Sequence, residues 1–367
     1  MRSTGLVIAI PLRPPINSPR HDEPVAAISS GQREFAPDLV RAVATALLVM
    51  LHGLMIQAPS FGPSWWALAS LTALAKLCVP LFLLLNGYLM MRRPIADLGA
   101  FYRHRFGRIL LPLVFATVLG VVVRQFGRDE TLPAREFVRI LLGFPAYYHL
   151  WFLLLMLPLT LATPWLQQLA AAMTPGTFRI FLWSFGLSLV WPTLSRVVDA
   201  YGIPDSYFAG VGYAAFLVIG GRLGRRPLGP RELAVCLWIF ALIWIADIFG
   251  TRFLTTAPGE RQETLLHFLR PQVVAQSVVA FMLLLHVGRA FPVQRFPRFC
   301  SSVRLVSRYS LGIYLLHAFV LDVVWSPRIS PAMAGAGPAI HIPVAIVASL
   351  GLSVLIARLP LLRRAVT

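Results

Sequence analysis

Long apolar stretches alternate with short polar connections along most of the chain. A helix needs about 20 predominantly apolar residues to cross the core of a bilayer. Runs of this kind predict ten membrane-spanning helices, at 36–58, 65–91, 108–126, 147–166, 177–194, 206–224, 231–250, 271–291, 306–326 and 338–358. The pattern therefore predicts an all-α, polytopic membrane helix bundle in residues 36–364. The Pro-, Ser- and Arg-containing residues 1–35 are predicted to form a disordered cytoplasmic tail.

The composition agrees with this interpretation and explains the large positive charge. Only 13% of residues are charged, whereas soluble domains average about 25%. A net charge of +18 is typical of nucleic-acid-binding proteins, but here its distribution follows the membrane. With both termini in the cytoplasm, 21 arginines fall on the cytoplasmic side and eight on the outer side, as the positive-inside rule requires. The distribution of charge therefore predicts the orientation of the helices in the membrane. It gives no reason to expect a nucleic-acid partner.

The first predicted span carries ionisable residues, which are costly at membrane depth and therefore point to function. Arg41 and His52 are eleven positions apart. At 100° and 1.5 Å per residue they lie about 20° apart around the helix and about 16 Å apart along it. Asp38 lies on the same face, one turn before Arg41. This polar face is typical of a path across the membrane, although an arginine near the surface and a hydrogen-bonded core histidine would also account for it.

Three later segments repeat the combination of apolar and polar residues. Lys76 is the only lysine in the chain, lies about ten residues into the second span, and is followed by VPLFLLLNGYLM. The fourth span opens with YYHLWF, which contains His149 and Trp151, and the ninth contains Tyr314 and His317 in SLGIYLLH. Taken singly, an interfacial tryptophan is usually an anchor, and a lone histidine is commonly structural.

Together these motifs resemble the acyltransferase-3 family of bacterial integral-membrane acyltransferases. The resemblance extends from about Pro37 to Arg364, and its most specific element is the Arg41–His52 spacing. Asn86 departs from the family pattern, because many members have a serine before Gly-Tyr. The resemblance implies an O-acetyltransferase in the bacterial inner membrane, similar to the enterobacterial-common-antigen type. It would use a cytosolic acyl-CoA, most simply acetyl-CoA, and a hydroxyl acceptor on a polysaccharide or its lipid-linked precursor.

The resemblance also implies roles for the polar residues. His52 would be the general base, since the pKa of histidine lies near neutrality, and the oxyanion would be stabilised by Lys76, His317 or Tyr314. The acyl-CoA would bind at a basic cytoplasmic mouth formed by Arg41 and Asp38 with three arginines expected in the 2–3 loop: Arg103, Arg105 and Arg108. Candidates for substrate binding are Asn86, Tyr88, His149 and Trp151.

Two mechanisms and two other functions stay open at this point. The acyl group can pass directly to the acceptor with His52 as base, or His52 can first be acylated and relay the group. Buried ionisable residues are also found in transporters and flippases, although no internal repeat of the transporter kind is present. A non-catalytic scaffold would use the same residues as interhelical contacts. No metal motif and no permanently bound cofactor is predicted.

Overall fold

The computed structural model describes residues 34–55, 63–92, 94–127, 133–141, 146–198, 206–225, 227–255, 264–326, 330, 336–360 and 362–366. Most of the predicted tail, up to residue 33, lies outside these residues. The chain from Glu34 to Thr367 forms one compact unit. Its helices, in chain order, are α1 (Phe35–Met55), α2 (Pro63–Ala75), α3 (Cys78–Met90), α4 (Leu98–Val122), α5 (Ala134–Leu141), α6 (Trp151–Ala172), α7 (Pro175–Val198), α8 (Ser206–Leu223), α9 (Pro230–Leu254), α10 (Pro271–Ala290), α11 (Pro297–Arg308), α12 (Ser310–Trp325), α13 (Pro338–Ile356) and α14 (Arg363–Val366).

Every predicted span coincides with a helical segment. Seven segments are long and apolar enough to cross a membrane: Phe35–Met55, Ser64–Met90, Leu98–Gln125, Tyr148–Ala172, Pro230–Leu254, Pro271–Ala290 and Pro338–Ile356. The sixth and ninth predicted spans are shorter apolar helices, and α7 covers the fifth. The described residues contain no strand. The predicted all-α polytopic bundle is therefore confirmed.

The second predicted span is interrupted at Lys76 and Leu77, which separate α2 from α3. Lys76 still donates its backbone N–H to the carbonyl of Thr72 at 3.0 Å. Its own carbonyl has no α-helical donor, because the residue four positions later is Pro80, which lacks an N–H. The α-helix is consequently interrupted at the one lysine of the chain, in the middle of the predicted span.

The fourth helix begins earlier than the hydropathy pattern indicated. The carboxylate of Asp97 accepts a hydrogen bond from the backbone N–H of Ala100 at 2.9 Å and caps α4 at its N-terminus, as aspartate commonly does. The expectation that Arg103, Arg105 and Arg108 occupy a loop is therefore wrong. They lie on the first three turns of α4, where Arg105 and Arg108 are three positions apart and share a face.

Helix α1 lies at the centre of the bundle, in contact with α2, α3, α10, α11, α12 and α13. Helix α3 packs closely on α8, and glycines permit that approach. A Cβ added to Gly87 would clash with the backbone carbonyl of Leu217, and one added to Gly220 would clash with that of Leu84. Small residues at such crossings allow helix backbones to approach in membranes. This packing places the Asn86-Gly87 segment against α8, in a helix that also contacts α1.

Candidate active site

The polar face of α1 is anchored at its first turns by a serine of α11. Ser307 donates its hydroxyl to the Asp38 carboxylate at 2.6 Å and accepts a hydrogen bond from the Arg41 guanidinium at 3.3 Å. Asp38 is almost fully buried. Ser307 thus links Asp38 and Arg41 and orients the Arg41 guanidinium at the start of the polar face that the sequence predicts.

His52, near the other end of α1, meets His317 of α12. Their ring planes are nearly parallel, inclined by 17°, with centroids 5.0 Å apart, and His52 Nδ1 lies 2.8 Å from His317 Nε2. His317 Nδ1 lies 2.7 Å from the backbone carbonyl of Tyr314 and 3.2 Å from that of Ile313. Both rings are buried. The sequence motifs placed these histidines in separate spans, and the fold pairs them.

The hydrogen bonds assign the protons of the neutral rings. A carbonyl oxygen only accepts, so His317 Nδ1 carries a hydrogen and Nε2 carries the lone pair. His52 Nδ1 must then donate to His317 Nε2, and the lone pair of His52 remains on Nε2. A second partner that fixes the tautomer in this way is a common means of preparing a histidine for catalysis. The geometry therefore leaves His52 Nε2 as a proton acceptor.

His149 and Tyr314 complete the cluster and constrain each other. The Tyr314 hydroxyl donates to the backbone carbonyl of His149 at 2.6 Å, and His149 Nε2 donates to the carbonyl of Leu315 at 3.3 Å. The His149 and His317 rings are 5.2 Å apart, edge to face. His149 lies in a 3₁₀ turn that precedes α6. The proton of the Tyr314 hydroxyl is therefore already engaged, as is the Nδ1 proton of His317.

A cavity of about 300 Å³ lies at the Arg41 end of the cluster, and we call it the arginine cavity. Four guanidinium groups line it, together with polar groups of α3, α6 and α11. The arginines are Arg41, Arg105, Arg108 and Arg308. Delocalised, bidentate guanidinium groups bind phosphate oxygens well. This end of the site is suited to a polyanionic ligand.

A second, smaller space surrounds His52, and we call it the histidine chamber. It measures about 20 Å³ and is lined by His52, His149, Trp151 and Phe268 among others. Residues common to its wall and to that of the arginine cavity are Phe82, Phe152 and Tyr314. The two spaces are therefore neighbours separated by three aromatic side chains, and a ligand in the arginine cavity can extend toward His52.

The other predicted residues divide between the cavities and the surrounding structure. Asn86 lines the arginine cavity, and its amide lies 4.0 Å from Met156 Sδ. Tyr88 lines neither space, because its hydroxyl donates to Glu34 at 3.2 Å. The side chain of Arg103 is exposed on another face of α4. The Lys76 ammonium lies 5.6 Å from the centre of the Phe268 ring.

Three residues of the site have no role in the sequence prediction. Ser307 and Arg308 lie at the start of the predicted span 306–326, just before the family motif SLGIYLLH, and that position was the available signal. Phe268 lies in a connection between helices, where no periodicity marks it. Among the described residues, no group of His, Cys, Asp or Glu side chains is placed to hold a metal ion.

The family of the chain follows from a match to a protein-family model. A family model for the acyltransferase domain of the acyltransferase-3 type matches residues 34–358, which include α1 to α13. The chain belongs to the acyltransferase-3 family. It is accordingly a multi-pass membrane acyltransferase, which favours the enzyme over the transporter and scaffold interpretations. No curated protein and no solved structure matches the chain.

In this acyltransferase, a cluster of polar and charged side chains surrounds Glu34, the residue that precedes α1. Arg92 binds both carboxylate oxygens of Glu34, at 2.8 and 2.9 Å, and its guanidinium lies over the ring of Tyr88. The hydrogen bond from Arg92 is the main cause that lowers the pKa of Glu34, against the opposing effect of burial. Arg289 donates to the Tyr88 hydroxyl at 3.4 Å. Tyr88 therefore ties the start of α1 to the ends of α3 and α10.

Proposed function

We propose that the protein is an O-acetyltransferase of the bacterial cytoplasmic (inner) membrane. It moves a short acyl group, acetyl in the simplest case, from cytosolic acyl-CoA to a hydroxyl of a cell-surface or exported polysaccharide or its lipid-linked precursor. One observation carries the proposal. His52 Nε2 is left as a proton acceptor in a chamber that adjoins a cavity lined by four arginines.

The arginine cavity supports a CoA thioester as the donor. Guanidinium groups bind the phosphates of CoA. Four of these groups line the cavity on the side predicted to be cytoplasmic; they belong to Arg41, Arg105, Arg108 and Arg308. The arm that carries the thioester is slender and largely uncharged. Phe82 and Phe152, which stand between the arginine cavity and the histidine chamber, suit its passage toward His52.

The chemistry follows from the proton positions. The acceptor hydroxyl attacks the thioester carbonyl while His52 Nε2 takes its proton, which forms a C–O bond and an oxyanion. The oxyanion collapses, the C–S bond breaks, and the imidazolium returns the proton to the CoA sulfur. The products are the O-acyl ester and free CoA. His317 keeps the lone pair on His52 Nε2 before the reaction and stabilises the imidazolium during it.

The same geometry also serves a two-step route. His52 Nε2 can attack the thioester itself, carry the acyl group on the ring, and pass it to the acceptor hydroxyl in a second step. In that case the labelled acyl group stays on the protein when the acceptor is absent. Direct transfer leaves no labelled protein.

The test is acyl transfer in membranes from cells that express the wild type, His52→Ala or His104→Ala. Membranes receive radiolabelled acetyl-CoA and an extract of lipid-linked glycans. His104 is exposed on α4 and serves as the matched control. We expect label in the glycan fraction with the wild type and His104→Ala, and loss of about 10²- to 10⁴-fold with His52→Ala.

Other outcomes of this assay contradict defined parts of the proposal. Equal incorporation by His52→Ala and the wild type would remove His52 from the chemistry. An absence of both label and CoA release with all variants would contradict the choice of donor or acceptor. Membrane fractions are compared at equal protein level by immunoblot, so that lost expression is not mistaken for lost activity.

A further inference from the structure

Residues 264–270, the described part of the connection before α10, pack partly inside the protein. They include the 3₁₀ turn Thr264–Leu266 and then Phe268, whose neighbours Leu266 and Leu269 are buried. The Phe268 ring stacks on Trp151, with centroids 5.8 Å apart and planes inclined by 26°. The Lys76 ammonium lies within cation–π distance of the same ring. Phe268 thus lies between Lys76, which separates α2 from α3, and Trp151 at the start of α6.

Phe268 differs from the other residues that line the histidine chamber. All of the others lie on α1, α3, α6, α12 or the 3₁₀ turn before α6, and Phe268 alone among them lies in a turn outside any helix. Connecting segments move more readily than the helices that they join. The chamber of about 20 Å³ holds about one water molecule. An acceptor can therefore bring its hydroxyl to His52 only if part of the wall is displaced.

We propose that Phe268 is the gate of the histidine chamber on the acceptor side, and that the ring of a sugar acceptor replaces it against Trp151. This inference rests on the proposed function. The apolar C–H face of a pyranose is complementary to the electron-rich face of an indole. Both α6 and α10 begin on the side that the charge distribution predicts to be outer, opposite the arginine cavity. The donor and the acceptor then approach His52 from opposite sides.

The gate gives Lys76 a different role from the oxyanion donor that the sequence predicts. Its ammonium, placed over the Phe268 ring, holds the gate closed, so Lys76 is a positioning residue. The helix break between α2 and α3 brings the lysine to this depth. A closed gate keeps bulk water from the thioester. Water that enters would attack the carbonyl in place of the sugar, with His52 as base, and give the free carboxylic acid and CoA.

The experiment measures two products of the same reaction mixture. Free CoA is followed with a thiol reagent and transferred label is followed in the glycan fraction, with and without acceptor. The variants are Phe268→Ala, Lys76→Met and both together, and the control is Phe253→Ala, which removes a phenylalanine that is 85% exposed on α9. We expect Phe268→Ala to raise the ratio of hydrolysis to transfer about tenfold, because the barrier to water is lost.

Lys76→Met should raise that ratio in the same direction, and the double variant should equal Phe268→Ala, since the lysine acts through the ring. Wild-type hydrolysis and transfer in Phe268→Ala would overturn the gate. If Lys76→Met instead lowers hydrolysis and transfer together, with an unchanged ratio, Lys76 stabilises the oxyanion and its positioning role is overturned. Phe268→Leu keeps most of the apolar volume and gives a second test if the alanine variant does not accumulate. We expect it to raise the ratio of hydrolysis to transfer about threefold.

The two proposals fail in different ways. If the wild type transfers label and no Phe268 or Lys76 variant shows increased hydrolysis, the gate is contradicted. The acetyltransferase proposal is then unaffected. A wild type that neither releases CoA nor transfers label contradicts the proposed function and, with it, the inference built on that function.

Discussion

Replacing His317 by alanine tests whether this histidine positions the base. The change removes the acceptor 2.8 Å from His52 Nδ1. Without it, the His52 proton is no longer held on Nδ1, and the tautomer with the proton on Nε2, which cannot act as base, becomes populated. A buried hydrogen bond contributes about 0.5–1.5 kcal/mol, and an orphaned buried donor costs about 1–3 kcal/mol. We therefore expect kcat to fall about 10- to 100-fold.

The Michaelis constant for acetyl-CoA should be unchanged in His317→Ala, because the four arginines of the arginine cavity are untouched. The assay is initial-rate transfer of label at varied acetyl-CoA, in membranes that contain matched amounts of protein. Because the two rings act as one unit, His52→Ala combined with His317→Ala should be no slower than His52→Ala alone. His317→Gln, which places an amide oxygen near the former Nε2 position, should restore part of the rate.

Three results would refute this reasoning. An unchanged kcat in His317→Ala would show that the tautomer of His52 is maintained without its partner. Losses that multiply in the double variant would show that His317 acts on the reacting groups independently of His52. A loss that appears mainly in the Michaelis constant would assign His317 to donor binding.

Three further predictions concern the donor site, the helix packing and the charged cluster. Arg41→Gln should raise the Michaelis constant for acetyl-CoA about 10- to 100-fold with little change in kcat, the loss expected for a charge-assisted hydrogen bond to phosphate, and initial rates at varied acetyl-CoA measure it. Gly87→Ala should destabilise the detergent-solubilised protein by about 1–3 kcal/mol through overpacking, whereas Gly186→Ala, where a Cβ meets no atom within 4 Å, should not. The Arg92 hydrogen bond lowers the pKa of Glu34 from 4.5. Its stabilising contribution is therefore complete above pH 4.5 and is lost as pH falls through the lowered folded-state pKa. The fall in Tm between pH 6 and pH 3 should accordingly be smaller in Glu34→Gln than in the wild type.

The sequence alone was sufficient for the all-α polytopic bundle, since the signals involved are local. Apolar runs of spanning length and the shared face of Arg41 and His52 follow from hydropathy and helix periodicity. The orientation indicated by the arginine distribution stays a prediction. The limit of hydropathy is visible at α4, because Asp97 caps the helix before the apolar run begins and so places Arg105 on a helix. A capping residue is a local signal too, but hydropathy does not include it.

Only the tertiary structure decided how the polar residues are combined. His52 and His317 are 265 residues apart, and their hydrogen bond depends on the packing of α1 against α12. That contact determines which nitrogen of His52 carries the lone pair, whereas the spacing of the motif is the same for either tautomer. Likewise Tyr88, which the sequence places beside the substrate, lies against Glu34. The position of Phe268 beside His52 is set by the same long-range packing, because a turn between helices has no periodic signal from which its contacts can be predicted.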